Sequence, residues 1–106
     1  IEEAQQLADN IAIMSKGKII KYDKKENLLD LGKRRLTVEF GHKPKLPKSL
    51  EKYNPEIKNN IAVFSYQRNQ HHTDKILKEI LKKEVHIKNI TTNDESLEDI
   101  FLMLTK

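Results

Sequence analysis

Short alternations of apolar and polar residues are the clearest pattern along this chain. Leu36, Val38 and Phe40 are separated by single polar residues, which is the period of a strand with one buried face. Residues 10–14 and 18–22 form two further apolar runs on either side of a turn in which Gly17 can adopt a positive φ. The pattern therefore predicts several short strands.

Helical spacing and helix caps occur between these strands. Asp23 with Glu26, and Ser96 with Asp99, have the spacing of capping boxes, and Gly32 is suited to ending the first of these helices. The face expected to be apolar in the helix after Ser96 consists of Leu97, Ile100, Phe101 and Leu104. The other predicted helices cover residues 1–8, 48–53 and 74–83.

The order of elements from residue 34 onward predicts the fold class. Residues 56–58 and 61–66 form a predicted hairpin around Asn59-Asn60, and Val85, Ile87 and Ile90 mark a fourth strand. Strand–helix–strand–strand–helix–strand is the ferredoxin-like split βαββαβ pattern. We therefore expect an α+β chain with such a sheet and an extra C-terminal helix, preceded by a helix–hairpin–helix piece over residues 1–32 that is too small to fold alone.

Charge is unevenly distributed over the 106 residues. The net charge is +4, but residues 33–83 hold thirteen Lys and Arg against five Asp and Glu, while residues 84–106 are acidic. Such a basic block indicates either a contact with an anionic partner or a solvated basic face. The absence of cysteine excludes disulfides and thiolate metal sites, and no apolar run approaches the ~18 residues of a membrane span.

Residues with candidate chemistry do not form a recognisable constellation. The three glycines, at positions 17, 32 and 41, exclude both the phosphate loop and the dinucleotide fingerprint. His71-His72 is the most evident metal pair, but adjacent side chains point in different directions, and His42 and His86 are not placed relative to them. Further candidates are Glu2-Glu3 and the serines at positions 15, 49, 65 and 96, which have ordinary helix, turn, strand or cap roles. No catalytic, cofactor-binding or metal residue is predicted.

Two aromatic residues bear on nucleic-acid binding. Phe64 and Tyr66 lie two positions apart on one predicted strand, as base-stacking aromatics do. The glycine-containing strand signature of an RNA-recognition motif is missing, and aromatic residues at this spacing are more often part of the core. Nucleic acid is therefore not the expected partner.

The first residues have no helix cap and no initiator methionine, since Ile1 directly opens an acidic, helix-like run. A signal peptide would begin with basic residues and continue into an apolar stretch, which is not found here. We therefore expect the chain to be a fragment of a longer protein.

Both ends of the chain resemble one family. Residues 3–20, EAQQLADNIAIMSKGKII, are similar to the segment that follows the switch histidine in ATP-binding subunits of ABC transporters, with Asn10 where arginine is usual. Residues 93–105, NDESLEDIFLMLT, are similar to the close of ATPase subunits from ABC-2-type exporters. Residues 33–90 resemble the accessory C-terminal domain of that subfamily only in pattern.

The resemblance implies a division of the chain and a set of partners. Residues 1–32 would be the end of the ATP-binding domain and residues 33–106 an accessory domain with a regulatory or dimer-contact role. The switch histidine would fall two positions before Ile1, and the other nucleotide-binding and catalytic motifs further upstream, so Mg-ATP is expected for the parent only. The expected partners are the rest of the subunit, a second copy of it and membrane-spanning subunits, at the cytoplasmic face of the cell membrane.

Two hypotheses follow for the fragment itself. Without the sheet of the ATPase domain, Ile11, Ile13, Ile19 and Ile20 are expected to expose apolar faces, so the fragment would fray before Lys33 or self-associate through residues 11–22. The alternative function is a free-standing ferredoxin-like module that binds RNA or a small anionic ligand through the basic block.

Overall fold

The computed structural model describes residues 3–7, as backbone only, and residues 9–105. The fold is α+β, as predicted, with two antiparallel sheets and few helices. The chain divides into two compact units, one formed by the residues up to Gly32 together with those from Glu95 onward, the other by Lys33–Asp94. The closing helix, which the sequence assigned to a domain of residues 33–106, thus belongs to the first unit by its contacts. No helix within the described ranges is long and apolar enough to cross a membrane.

The first unit contains a three-stranded sheet in the order β1-β2-β3. Its strands are β1 (Glu3–Leu7), β2 (Asn10–Ser15) and β3 (Lys18–Lys24). The helix predicted for residues 1–8 is wrong for residues 3–7, and residues 1, 2 and 8 lie outside the described residues. Pairing from Glu3↔Met14 to Leu7↔Asn10 supplies ladder hydrogen bonds to an edge of β2 that a helix would leave unpaired, and this pairing overrides the helical spacing.

The hairpin turn between β2 and β3 is the one that the sequence predicted. Lys16 and Gly17 both have positive φ, 52° and 77°, as a two-residue type I′ turn requires. Ser15 pairs with Lys18 directly beside the turn. The twist of this turn matches that of the strands it connects, so it fixes their register.

Two helices follow these strands in the first unit, and only one has its predicted cap. In α1 (Lys25–Leu29) the N-cap is Lys24, because β3 continues through that residue. The predicted box of Asp23 and Glu26 is therefore wrong, and the Asp23 carboxylate accepts hydrogen bonds from Lys24 N and Asn27 Nδ2 at 2.8 and 2.7 Å. In α3 (Leu97–Leu104) both hydrogen bonds of the predicted box of Ser96 and Asp99 are present, at 3.0 and 3.1 Å.

Burial in the first unit corrects the expectation for the β2–β3 hairpin. Ile11 and Ile13 are buried rather than exposed, because they pack with Leu28 of α1 and with partly buried residues of the loop after α1 and of α3: Leu31, Leu97, Phe101 and Leu104. Ile19 and Ile20 are exposed as expected, at 58% and 41%. The closing helix thus protects the apolar side chains of β2 and leaves those of β3 in solvent.

The second unit contains a four-stranded antiparallel sheet in the order β5-β6-β4-β7. Its strands are β4 (Lys33–Phe40), β5 (Glu56–Lys58), β6 (Ile61–Gln67) and β7 (Ile87–Asp94), with the helix α2 (Thr73–Ile80) and short 3₁₀ turns over Lys48–Tyr53 and Arg68–Gln70. The predicted hairpin around Asn59-Asn60 is confirmed, and Asn59 has the positive φ, 56°.

One face of this sheet forms the larger core. The buried residues are Leu36, Val38, Phe40, Leu50, Tyr53, Ala62, Phe64, Tyr66, Ile76 and Ile80. Residues 48–53 form a 3₁₀ turn rather than an α-helix, and its three-residue period places Leu50 and Tyr53 on the same buried side. Leu81 is 60% exposed, since α2 ends at Ile80.

A charged cluster joins one end of the sheet in the second unit. Arg34 on β4 lies opposite Asp94 on β7 and donates from Nε and Nη2 to the two carboxylate oxygens at 2.6 and 3.1 Å. Arg68 Nε donates to Asp94 Oδ2 at 3.1 Å. These bonds, from Arg34 first and then Arg68, hold the pKa of the Asp94 carboxyl below its ordinary value.

We expect Asp94→Asn to lower the free energy of unfolding by about 1–2 kcal/mol, because two arginines lose a charged acceptor in a partly exposed site. The pKa of Asp94 is lower folded than unfolded. Its contribution is therefore complete above the unfolded value of about 4 and disappears as the pH falls through the folded pKa. Urea unfolding of the wild type and of Asp94→Asn, repeated across the acid range, measures the difference in stability at each pH.

The control is Asp74→Asn, which makes the same chemical change in an exposed pair with Lys78 at 3.9 Å on α2. Its effect is expected to stay below about 0.5 kcal/mol. Equal losses in the two variants, or a loss in Asp94→Asn that persists at low pH, would show that the cluster does not stabilise the sheet.

Candidate functional site

The four histidines separate into one pair and two single residues. His42 and His86 line the same cleft of the second unit, although 43 positions separate them in the sequence. His71 is exposed with φ 53°, and His72 is the N-cap of α2. Among the described residues no group of three His, Asp or Glu side chains is placed to hold a metal ion. His71 and His72 are neighbours in the sequence but differ in burial, since His72 is partly buried.

The ring of His72 is part of an aromatic cluster in the core. It lies edge-on to Tyr53, with ring centroids 5.4 Å apart, and stacks on Tyr66 at 6.1 Å. Tyr66 and Thr73 are joined by a hydrogen bond between their hydroxyl groups. Phe64 and Tyr66, the aromatic residues weighed as base-stacking groups, are 0% and 5% exposed, so the reading that they belong to the core is confirmed.

The other sequence candidates have local roles where the structure describes them. Ser49 Oγ donates to Glu79 Oε1 at 2.6 Å, and Ser96 caps α3. Ser15 and Ser65 lie on the strands β2 and β6. Glu2 and the side chain of Glu3 lie outside the described residues. Among the described residues none of these serines forms a hydrogen bond with a histidine.

One concave surface of the second unit holds both His42 and His86, and we call it the basic cleft. It has a volume of about 260 Å³ and is formed by residues 42–45 on one side and residues 83–86 on the other, above Phe40. Its charged or titratable residues are His42, Lys43, Lys45, Lys83, Glu84 and His86.

Backbone pairing holds the two sides of the basic cleft together. Phe40 on β4 pairs with Ile87 on β7, and Gly41 N donates to His86 O at 2.8 Å, which extends the ladder into the cleft. A Cβ on Gly41 would lie 2.9 Å from Nδ1 of His86, so the imidazole occupies space that only glycine leaves open. Pro44, at the centre of the loop, is buried and limits the loop's freedom.

Two other cavities of the second unit also have charged residues in their linings. One of about 320 Å³ is lined by Lys52, Lys75 and Lys78, but Glu79 within it already binds Ser49 and Lys82, both at 2.6 Å. These bonds, from Lys82 first and then Ser49, lower the pKa of Glu79. The other, of about 410 Å³ at the β5–β6 turn, has a single cation, Lys58, beside Glu56.

Sequence reasoning found the basic block but not the cleft. The residues of the cleft come from the loop after β4 and from the approach to β7, which are adjacent only because these two strands pair. Two sequence features point towards the cleft: the excess of lysine over residues 33–83, and the glycine next to a histidine at positions 41 and 42. Neither feature indicates where His86 lies.

We expect Gly41→Ala to displace the His86 ring and to lower stability by about 1 kcal/mol, since the added methyl overlaps an exposed ring that can rotate away. The imidazole proton resonances of His86 report the displacement. Gly17→Ala is the control, because its cost comes from φ 77° with no atom within 4 Å of the new Cβ. An unchanged His86 resonance in Gly41→Ala would contradict the close approach.

Comparison with known proteins adds no family assignment. No protein-family model, no curated protein and no solved structure matches this chain. What the chain does must therefore be inferred from its own residues and their geometry.

Proposed function

We propose that this chain is the C-terminal portion of the ATP-binding subunit of an ABC exporter. The two segments whose residues resemble that family, 3–20 and 93–105, are separated in the sequence by nearly all of the second unit. In the structure most of both segments falls within the first unit. This meeting of the two ends is the observation that carries the proposal.

The two resembling segments contact each other through apolar side chains. Ile11 and Ile13 of the first segment pack with Leu28, and Leu97, Phe101 and Leu104 of the second segment complete the cluster. A two-stranded hairpin is marginal in water without a covering layer. The closing helix supplies that layer, so the two resembling segments depend on each other for burial, as parts of one domain do.

The departure of Asn10 from the family pattern lies at the edge of this packing. Asn10 is partly buried, and its Nδ2 donates to the hydroxyl of Tyr22 across the β2–β3 pair at 3.2 Å. Tyr22 is 53% exposed. The substitution therefore replaces a charged group by an amide with a local partner and leaves the buried residues of β2 unaffected.

We infer that the second unit is a ferredoxin-like accessory module. Its antiparallel order β5-β6-β4-β7 supports this inference, because the two outer strands flank the two strands that precede a helical segment, as in a split βαβ arrangement. In this arrangement the first helix is shortened to the 3₁₀ turn Lys48–Tyr53. The module would act in regulation or in contact between subunits, with the second copy of the subunit and the membrane-spanning subunits as partners, on the cytoplasmic side of the membrane.

Nucleotide chemistry in this proposal belongs to the parent protein. The sequence has no phosphate loop, and in the part of the chain that is described none of the three cavities combines glycine-rich backbone with a lysine at a helix start. Mg-ATP would be bound by upstream residues of the subunit. This chain would contribute the closing layer of that domain and the accessory module.

We predict that calorimetry detects Mg-ATP binding by the chain extended upstream in its own reading frame and not by the 106-residue chain. The physical reason is that this sequence lacks the glycine-rich loop whose backbone amides and lysine hold the phosphates of a nucleotide. Failure of the extended protein to bind Mg-ATP would overturn the proposal. Tight binding by the short chain would favour the free-standing module instead.

We also predict that the isolated chain self-associates through the β2–β3 hairpin. Within the sheet order β1-β2-β3, β3 lies at an edge, and Ile19, Ile20 and Tyr22 expose apolar surface on both of its faces. Light scattering should show a mass that rises with concentration. Ile20→Lys should return the protein to a monomer.

Leu81→Lys is the matched control, because Leu81 is 60% exposed but lies after α2 in the second unit. It should leave the association unchanged. A wild-type chain that stays monomeric while its hairpin amides are fully protected from hydrogen exchange would exclude both self-association and fraying of this segment.

A further inference from the structure

We propose that the basic cleft binds a phosphate group, free in solution or on a lipid headgroup, and that it holds an anion of constant charge more tightly as the pH falls. This inference goes beyond the proposed function and does not depend on membership of the ABC family. It is based on the charge, size and backbone support of the cleft.

Charge is the first reason. Lys43, Lys45 and Lys83 oppose one carboxylate, Glu84, so the cleft has a charge of +2 with neutral imidazoles and +4 with both protonated. Among the described residues no carboxylate forms an ion pair with any of these three lysines. Three lysines beside one carboxylate give the cleft an excess of positive charge, which attracts a multiply charged anion.

Size narrows the class of ligand. About 260 Å³ is below the ~300–1,000 Å³ of pockets that enclose drug-sized molecules. A phosphate group fits this volume, whereas a whole nucleotide would extend beyond it. Long nucleic acid is also disfavoured, because Phe64 and Tyr66 are buried and offer no face for base stacking.

Support from the backbone distinguishes the cleft from an ordinary patch of surface lysines. The strand pairs Phe40↔Ile87 and Gly41 N to His86 O hold its two sides at a fixed separation. Gly41 allows the His86 ring to lie against the backbone, and the buried Pro44 fixes the loop that carries Lys43 and Lys45. Because this backbone is already held in place, anion binding costs less conformational entropy than it would on a flexible loop.

The pH dependence follows from all groups that face the cleft. Besides three lysines and Glu84, the cleft is lined by the imidazoles of His42 and His86, and histidine is the side-chain type that changes charge near neutral pH. Protonation of either adds a positive charge beside the anion. Binding of an anion with constant charge should therefore strengthen as the pH falls from about 8 to about 6.

Binding is tested by NMR titration of the 106-residue chain with inorganic phosphate, and by co-sedimentation with phosphatidylcholine vesicles with and without phosphatidic acid. We expect saturable shifts confined to residues 40–45 and 83–87. The variant K43Q/K45Q/K83Q should weaken binding by about tenfold or more. The control K52Q/K75Q/K78Q has the same net charge but changes the cavity beside Glu79, and should bind as the wild type does.

Each outcome decides the proposal. Binding of phosphate alone, or of phosphatidic acid vesicles alone, supports it and identifies the source of the phosphate group. Equal loss in both triple variants would reduce the effect to overall charge and overturn the proposal, as would the absence of saturable binding to either probe. Heteronuclear spectra of both variants establish that they are folded.

The pH arm uses sulfate, whose charge is constant over this range, so that any change comes from the protein. Wild-type affinity should rise several-fold towards about pH 6, and His42→Gln with His86→Gln should remove the rise while keeping binding at about pH 8. A rise that persists in the double variant would show that the imidazoles do not contribute.

Discussion

The buried face of β4 is the constraint on which the second unit depends. This face consists of Leu36, Val38 and Phe40, and β4 has β6 on one side and β7 on the other. Because a slip of one residue would turn all three side chains into solvent, burial fixes the register of both neighbouring pairs. The same register places Arg34 opposite Asp94 at one end of β4 and Gly41 beside His86 at the other. The ion cluster and the basic cleft are thus two consequences of one strand pairing.

The features that the sequence predicted well are those determined within a few residues. The Lys16-Gly17 turn, the Asn59-Asn60 turn, the alternation of β4 and the cap formed by Ser96 and Asp99 each depend on local backbone chemistry. Where a distant partner decides the outcome, local signals were insufficient. Residues 3–7 have helical spacing but form a strand along β2, and Asp23 has a cap's spacing but lies inside β3.

The candidate site shows the same limit. Charge counting found an excess of cations in residues 33–83, yet it gave no reason to place His86 beside His42 or to separate Lys43 from Lys52. Those distinctions arise from the pairing of β4 with β7 and from the 3₁₀ turn that directs Leu50 and Tyr53 inward. Exposure of Ile11 and Ile13 was expected wrongly for a related reason, since the helix that covers them lies at the far end of the sequence.

The proposal of an ABC exporter subunit and the proposal of an anion site rest mainly on different units. A test of one therefore says little about the other. The segments that resemble ABC ATPases lie mainly in the first unit, where Ile13 and Leu28 are buried together with residues of α3. The basic cleft lies wholly within the second unit and consists of residues outside the resembling segments. A compact unit inserted between two segments that need each other for burial can acquire a binding site without disturbing them, because its own core is complete. Because the two cores are separate, the proposed binding of an anion in the second unit needs no change in the core of the first.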